Sequence, residues 1–576
     1  MRFVDPASSI KSLGTPDCDQ FRRTIFNRYR PIASALSHDY SATCKRLGYV
    51  EANRRLLELD KQMTIGDKHN PIAASAPDKQ VKEWAEDRAH HCGLLVDAYL
   101  NDGCEISVRR PVEMYVNEQG VAFPLHLKQN MTETEERQAW LRALARVCDA
   151  KWWRRQVRKT LSRNLETVAR DIRLVSAEKG LYCSDIRLAN RKRQKQRNQE
   201  LLENLEAENQ HGDVYTLAEL AECGLANPRN RFAELITRSK GFDLVAQQLG
   251  HVGWFFTLTT PSRFHRMSKG KNHCYANSQW SGATPRDAQD WLCKVWAQVR
   301  AKWEREGIKA YGLRVSEPHH DGCPHWHMSL FFNPDQSEQA KAIFREYALK
   351  DSPDEKGAKE RRLDAMPLDP EKGATGYLVK YLTKNIDGAQ GMEAELDLES
   401  EGQQELLIKE GQSRVEAWAT CWGIRQFQFI GGPSVSVWRE LRRVDDEQIE
   451  QMQSLLPESE TMDDSEKTCF QQIKAAADAA DWAAFVMAMG GPTLKRSEYP
   501  MQSWRVPNVE INDYYELLES VKGVVLSGVE EEKNIMTRFL VWTVRPVRAT
   551  EQEAHSADSW TCVNNCTEAE RGWAYG

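Results

Sequence analysis

The sequence predicts an α+β protein: a largely helical first region, a central region of strands and helices, and an α-rich C-terminal region. Three observations predict it. Residues 150–208 hold no proline and one glycine, the character changes at Gly250 to aromatic and β-branched runs, and helical periodicity returns after residue 444. At 576 residues the chain suits about three to five structural units. The boundaries fall at 1–249, 250–443 and 444–576, with an acidic insertion at 388–413 inside the second region.

The first region reads as helices from 150 to 208 with one break near Gly180, then as TLAELAECG and NPRNRFAELITRSKGF. WFFTLTTPSRFH, from Trp254, is a strand stopped by Pro261. Residues 284–307 form an amphipathic helix with a Thr cap, a Gly stop and a stripe of Trp291, Val295 and Val299. YGLRVSEPHHDGCPHWHMSLFF reads as a β-hairpin closed by a Pro, Asp and Gly turn. ATGYLVKYLTKNI, 374–386, is a short helix, and 388–411 with seven acids and one lysine is a surface insertion. IRQFQFIGG adds a strand. KTCFQQIKAAADAADWAAFVMAMGG is a helical pair, and VKGVVLSGV and RFLVWTVRPV are two late strands.

Composition narrows the function. No window approaches 18 consecutive apolar residues and no apolar run follows a basic start, so neither a membrane span nor secretion is expected. Fourteen cysteines without a CxxC pair read as reduced thiols of a cytoplasmic protein. No GxxxxGK[ST] loop is present, so NTP binding is not expected. The formal charge of −6 conceals segregation: 1–250 carry +6, 251–440 carry −1 and 441–576 carry −11. Residues 151–199 hold 15 basic side chains against four acids, and Arg191, Lys192 and Arg193 lie where a helix would track phosphates; a solvated helix face fits the same run.

Four of the 14 histidines, His319, His320, His325 and His327, lie within nine residues. On a strand, alternation puts His325, His327, Ser329 and Phe331 on one face and Trp326, Met328, Leu330 and Phe332 on the other, an apolar core face. Two imidazoles two residues apart can share a cation, and Glu317 across the turn would complete a site for Mg²⁺, Mn²⁺ or Zn²⁺, phosphate chemistry favouring the first two. His319 and His320 are turn residues, DNA contacts or an alternative third ligand. Tyr377 and Tyr381 are one helical turn apart, and Lys380 and Lys384 follow each by three residues, so each phenol has an ammonium neighbour. Core packing is the competing account of that spacing.

EPHHDGCPHWH (317–327), YLVKYLTKNI (377–386) and FTLTTPSRFH (256–265) resemble the three motifs of HUH-class rolling-circle initiators, named for His, hydrophobic residue, His, and most resemble the replication gene A proteins of tailed phages. The likeness is strongest from 250 to 440 and extends loosely over the N-terminal half and ADWAAF. It implies an HUH nuclease domain, a central antiparallel sheet of about five strands flanked by helices, that nicks one strand at an origin, stays joined to the 5′ end through phosphotyrosine, leaves a 3′-OH primer and religates the displaced strand. Two tyrosines imply alternating cleavages. It implies origin or single-stranded DNA, a host helicase and polymerase as partners, and the bacterial cytoplasm as the location. Arg263, Arg266, Lys269 and Lys271 are the candidate backbone contacts beside the first strand, with Tyr275 or Trp280 to stack on bases. A relaxase or transposase, a phosphoesterase using water as nucleophile, and a DNA-binding module that keeps only the fold are the alternatives.

Overall fold

The computed structural model describes residues 10–101, 105–270, 273–369, 371, 373–376, 405–454, 462–527 and 532–547. Contacts divide the chain into two compact units: 1–180 with 184–187 and 507–520, and the remainder. Among the described residues no helix is long and apolar enough to cross a membrane.

The first unit is helical. Pro16–Arg28, Ala33–Leu47 and Tyr49–Gln62 close one core around Phe26, Leu36, Leu56 and Leu59, and Asp78–Asn101, Glu105–Glu118 and Glu133–Val147 contribute to a second around Trp84, Val112 and Trp140. The helix Ala150–Asp171 belongs to both cores: Trp153, Val157 and Leu161 enter the second and Val168 the first. The basic stretch expected to face a polyanion is therefore two elements of different character. Ala150–Asp171 is half sunk in core, whereas Asp185–Glu203, which from Leu188 on belongs to the other unit, buries only Leu188. The hairpin tip 507–520 groups with this unit, where Glu516 pairs with Arg146 at 2.7 Å and the Tyr514 hydroxyl donates to Asp149.

The second unit is organised by an antiparallel sheet whose strands are β1 (Val252–Leu258), β2 (Tyr311–Pro318), β3 (Pro324–Phe332), β4 (Leu363–Pro367) and β5 (Phe427–Ile430), in the order β4-β1-β3-β2-β5. The hairpin and the first strand lie where the sequence places them. The edge strand β4 is an addition, too short and too close to prolines to announce itself.

Alternation assigns each face a core. Phe256, Leu258, Trp326, Met328, Leu330 and Phe332 pack on Leu292, Val295, Trp296, Val299 and Trp303 of Pro285–Arg305 and on Ile343 and Phe344 of Pro334–Leu349. The helix Pro285–Arg305 starts at a capping box between Thr284 and Asp287, as the sequence suggests, but its stripe centres on Trp296 while Trp291 is half-buried. Trp326 is completely buried, and its removal would cost roughly 3–5 kcal/mol.

On the opposite face Phe255, Leu313, Val315 and Phe331 meet Phe242 and Val245 of Pro228–Leu249, together with Trp438, Phe470, Ile473, Trp482 and Phe485. The boundaries drawn at 249 and 443 thus fall between elements that share one core. Close packing explains why: a Cβ on Gly241 would stand 2.6 Å from Trp482, so the helix 228–249 and ADWAAF fit only because residue 241 has no side chain. The helix Glu405–Trp422 takes in the last part of the acidic insertion and buries Val415, Trp418 and Trp422. The rest of the insertion lies outside the described residues. Three late strands, Met501–Ile511, Leu517–Leu526 and Lys533–Met536, form a second sheet, and Trp542–Pro546 joins Leu205–Asn209 and Val214–Thr216 in a third. The strand Met501–Ile511 escapes a sequence reading because Pro507 interrupts it.

Candidate functional site

The β2–β3 hairpin turns through residues 319–323. His319 N–H donates to the Cys323 carbonyl at 2.7 Å, Gly322 N–H to the His319 carbonyl at 2.8 Å, and Asp321 accepts from Cys323 N–H at 3.1 Å. Gly322 has φ +79°, a conformation glycine adopts without strain. This turn sets the register in which Glu317 faces His325 directly and His327 follows one step along the same face.

Glu317, His325 and His327 are 1%, 9% and 7% exposed, and one ligand atom from each converges within 4.8 Å of the others. The two Nε2 atoms stand 2.9 Å apart, and Glu317 Oε2 is 3.8 Å from His327 Nε2. Two nitrogens each about 2.1 Å from one ion at a right angle would lie about 3.0 Å apart, so the donor set fits a cation.

Neighbours fix the rings. Thr257, paired with His327 across β1 and β3, places its Oγ1 3.0 Å from His327 Nδ1, leaving Nε2 toward the carboxylate. Phe255 stacks on His327 with centroids 5.6 Å apart, and His319 stacks on His325 at 4.0 Å. Behind the site Gln289 accepts from Trp326 Nε1 at 3.1 Å and Ser316 Oγ at 3.3 Å, and the Arg314 guanidinium lies 4.1 Å from the Trp326 ring. Burial brings Arg314 down to about 10.

A second pair, half-buried His265 and buried Asp321, flanks the first. His265 Nδ1 is 3.4 Å from Asp321 and its Nε2 is 3.3 Å from Thr260 Oγ1, with the His319 ring edge-on at 5.0 Å. Burial alone would lower the His265 pKa, but Cys323 and Asp321 outweigh it and hold the imidazole well above its ordinary value. Burial, then His265, pushes His319 down to about 3, so that ring is neutral.

Tyr377, Lys380, Tyr381 and Lys384 lie outside the described residues. The helical turn 373–376 that leads to them is described, and Asp243 grips it. One carboxylate oxygen accepts from Ala374 N–H at 2.7 Å, and the other accepts from Thr375 N–H at 3.0 Å and Thr375 Oγ1 at 2.6 Å. Ala374 is buried in the same core as Leu313, Val315 and Phe331, on the sheet face that carries Glu317, His325 and His327.

The other candidate contacts are scattered. Arg263 makes a two-pronged pair with Asp351 at 2.8 and 2.6 Å, and Arg266 covers the Trp280 ring at 4.9 Å. Tyr275 is 51% exposed. Lys269 ends the short strand Met267–Lys269, and Lys271 lies outside the described residues. Arg191 pairs with Glu416 at 2.6 Å, Lys192 and Arg193 are exposed, and the His320 carbonyl accepts from Tyr182 N–H at 3.5 Å. Sequence reasoning overlooked Thr257, His265 and Asp243. Thr257 follows from alternation only once β1 is known to adjoin β3, His265 only once its loop is placed beside Asp321, and Asp243 is 132 residues from Thr375.

An α+β chain with a buried carboxylate and two histidines on one face of an antiparallel sheet is, as a class, a candidate metalloprotein with its centre on a β-hairpin. Residues 106–389 match the family model described as bacteriophage replication gene A protein, and the chain belongs to that family. It is 38% identical over 436 residues to the replication gene A protein of Escherichia phage 186, a match covering 74% of this chain and 60% of the relative. It is 33% identical over 441 residues to the replication gene A protein of Escherichia phage P2, covering 75% and 56%. A protein of Salmonella typhi named "Probable replication endonuclease from prophage-like region 1" is 30% identical over 435 residues, covering 74% and 52%. The chain thus spans between half and two thirds of the length of these relatives. No solved structure matches it.

Proposed function

We propose that the chain is a phage-type replication initiator endonuclease that nicks one DNA strand by transesterification to tyrosine. Tyr377 or Tyr381 is the nucleophile, and Glu317, His325 and His327 hold a divalent cation, Mg²⁺ or Mn²⁺. The observation that carries this reading is the convergence of three buried ligand atoms within 4.8 Å on the sheet face where the turn 373–376 is anchored. The names of the Salmonella relative and of the phage replication proteins agree with it.

A bound divalent cation would draw charge from a scissile phosphate. The chain's own residues do the rest. Thr257, Phe255 and His319 hold the two imidazoles in place, and Asp243 pins the turn from which the tyrosines follow. As the phenolic oxygen bonds to phosphorus the bond to O3′ breaks; the phenolic proton passes to water, and the leaving 3′-oxygen takes a proton. Lys380 and Lys384, each three residues past a tyrosine, lower the cost of the phenolate. One phosphate ester replaces another, so attack by a 3′-OH reseals the strand without nucleotide hydrolysis, consistent with the missing GxxxxGK[ST] loop. Two tyrosines allow a second cleavage while the first adduct persists, as rolling-circle replication requires. A host helicase and polymerase would then act from the nick.

The test is a denaturation-resistant protein–DNA adduct on single-stranded oligonucleotides tiled across the replicon that encodes the chain. The adduct should form with Mg²⁺ or Mn²⁺ and disappear in chelator or in His327→Ala. Tyr377→Phe and Tyr381→Phe, made separately and together, assign the nucleophile. No adduct with any divalent cation would sink the proposal.

A further inference from the structure

The helix Asp185–Glu203 has no apolar side. Of its 19 residues only Leu188 is buried. A helix that is polar all round gains little from packing and requires another explanation. Its last turns are held by amide–carboxylate pairs one turn apart, Gln196 with Glu200 at 3.0 Å and Gln199 with Glu203 at 2.8 Å. Its middle, 187–197, carries six basic side chains and no acid. Glu416 takes Arg191 at 2.6 Å and Lys195 at 2.8 Å, tying one side to the helix Glu405–Trp422. At about 100° per residue Asn190, Arg193, Gln196 and Arg197 fall on the other side, with Lys192 at its flank. All five are exposed.

These are the side chains that read base edges: Arg and Lys suit guanine O6 and N7, and Asn and Gln suit adenine N6 and N7. A helix about 10–12 Å across fits a major groove about 12 Å wide. Single strands are gripped by stacking on aromatic rings, and residues 185–203 include none. We propose that Asp185–Glu203 is a duplex-reading helix, entering the major groove with Arg193, Gln196 and Arg197 toward base edges and Lys192 toward phosphate. Glu416 holds the helix from behind through Arg191 and Lys195. The inference deepens the nuclease reading, and rests on it for DNA as the partner: the duplex beside a nick site would be recognised by an element separate from the cutting centre.

The test uses the full chain with Tyr377→Phe and Tyr381→Phe, in chelator, so that no cutting intervenes. Fluorescence anisotropy with a random-sequence 30-base-pair duplex and a 30-nucleotide single strand (about three helical turns of DNA) compares this protein with Arg193→Ala/Arg197→Ala. The expected result is at least a tenfold loss on duplex, a salt slope shallower by roughly one to two, and less than a twofold change on the single strand. Selection from a random duplex library should enrich a motif, and Asn190→Ala/Gln196→Ala should lose its preference at adjacent base pairs. Unchanged duplex affinity, an equal loss on single strands, or no enriched motif would overturn the proposal. The adduct assay with intact tyrosines is separate, so its failure would remove the nuclease reading and leave the duplex result standing.

Discussion

Replacing Asp243 by alanine removes the carboxylate that accepts from Ala374 N–H, Thr375 N–H and Thr375 Oγ1 at 2.7, 3.0 and 2.6 Å. Losing a capping carboxylate costs about 0.5–2 kcal/mol, and a hydrogen bond to a charged group about 1.5–3 kcal/mol. Thr375 Oγ1 keeps Ser239 Oγ at 3.1 Å, so part of the anchor survives. Burial raises the Asp243 pKa against the lowering effect of those same hydrogen bonds, so removal also relieves a desolvation cost and the net loosening is less than the sum. A net of roughly 2 kcal/mol shifts the anchoring equilibrium about thirtyfold. If the anchor positions the tyrosines, single-turnover adduct formation should slow by about one order of magnitude or more, while Mn²⁺ affinity and single-strand affinity hold within twofold. Asp243→Asn, which keeps one acceptor, should fall between. Adduct formation by Asp243→Ala at the wild-type rate would refute the reasoning, and so would an equal loss of Mn²⁺ affinity, which would mark a general disruption of the sheet.

Three further outcomes follow from the geometry. Thr257→Val removes the Oγ1 that orients His327 and should weaken Mn²⁺ binding about 10–100-fold by calorimetry, with Thr257→Ser restoring most of it; an unchanged affinity would deny Thr257 its orienting part. Arg263, followed by Ser352 and Trp291, holds Asp351 down to about 2, below the ordinary carboxylate range. Its stabilising contribution is therefore complete above about pH 4 and lost as the pH falls toward 2, and solvent screening keeps it near 1 kcal/mol. Melting curves of Arg263→Ala should differ from wild type at neutral pH and converge with it below pH 3; a constant offset would contradict the pairing. Gly241→Ala puts a methyl 2.6 Å from Trp482 and should destabilise the second unit by about 1–3 kcal/mol in denaturant titration, an unchanged midpoint arguing against the close approach.

The grouping of Glu317, His325 and His327 was legible because it depends on one hairpin, in which strand alternation and a Pro, Asp and Gly turn settle the register within 11 residues. Trp326, Met328, Leu330 and Phe332 were legible as core for the same reason, since alternation needs no knowledge of the partner. The core that runs across residues 249 and 443 was not legible. Trp482 and Phe242 share a core although 240 residues separate them, and no local pattern records that contact. Thr257 and Asp243 were invisible for the related reason that each acts through a strand or helix neighbour chosen by the tertiary fold. The acidic stretch was read as a surface insertion, and its last residues belong to the helix Glu405–Trp422, whose buried Val415, Trp418 and Trp422 lie just beyond it.

The five-residue hairpin turn also imposes an order of assembly. Chain-closure entropy grows with the length of the loop closed, so the three ligand side chains come together early and cheaply. The grip of Asp243 on Thr375 spans 132 residues and comes later. During synthesis from the N-terminus the cation-binding hairpin leaves the ribosome before residue 377 has been added. On the proposed chemistry, a nascent chain that ends before residue 377 carries the ligand hairpin and yet cuts nothing.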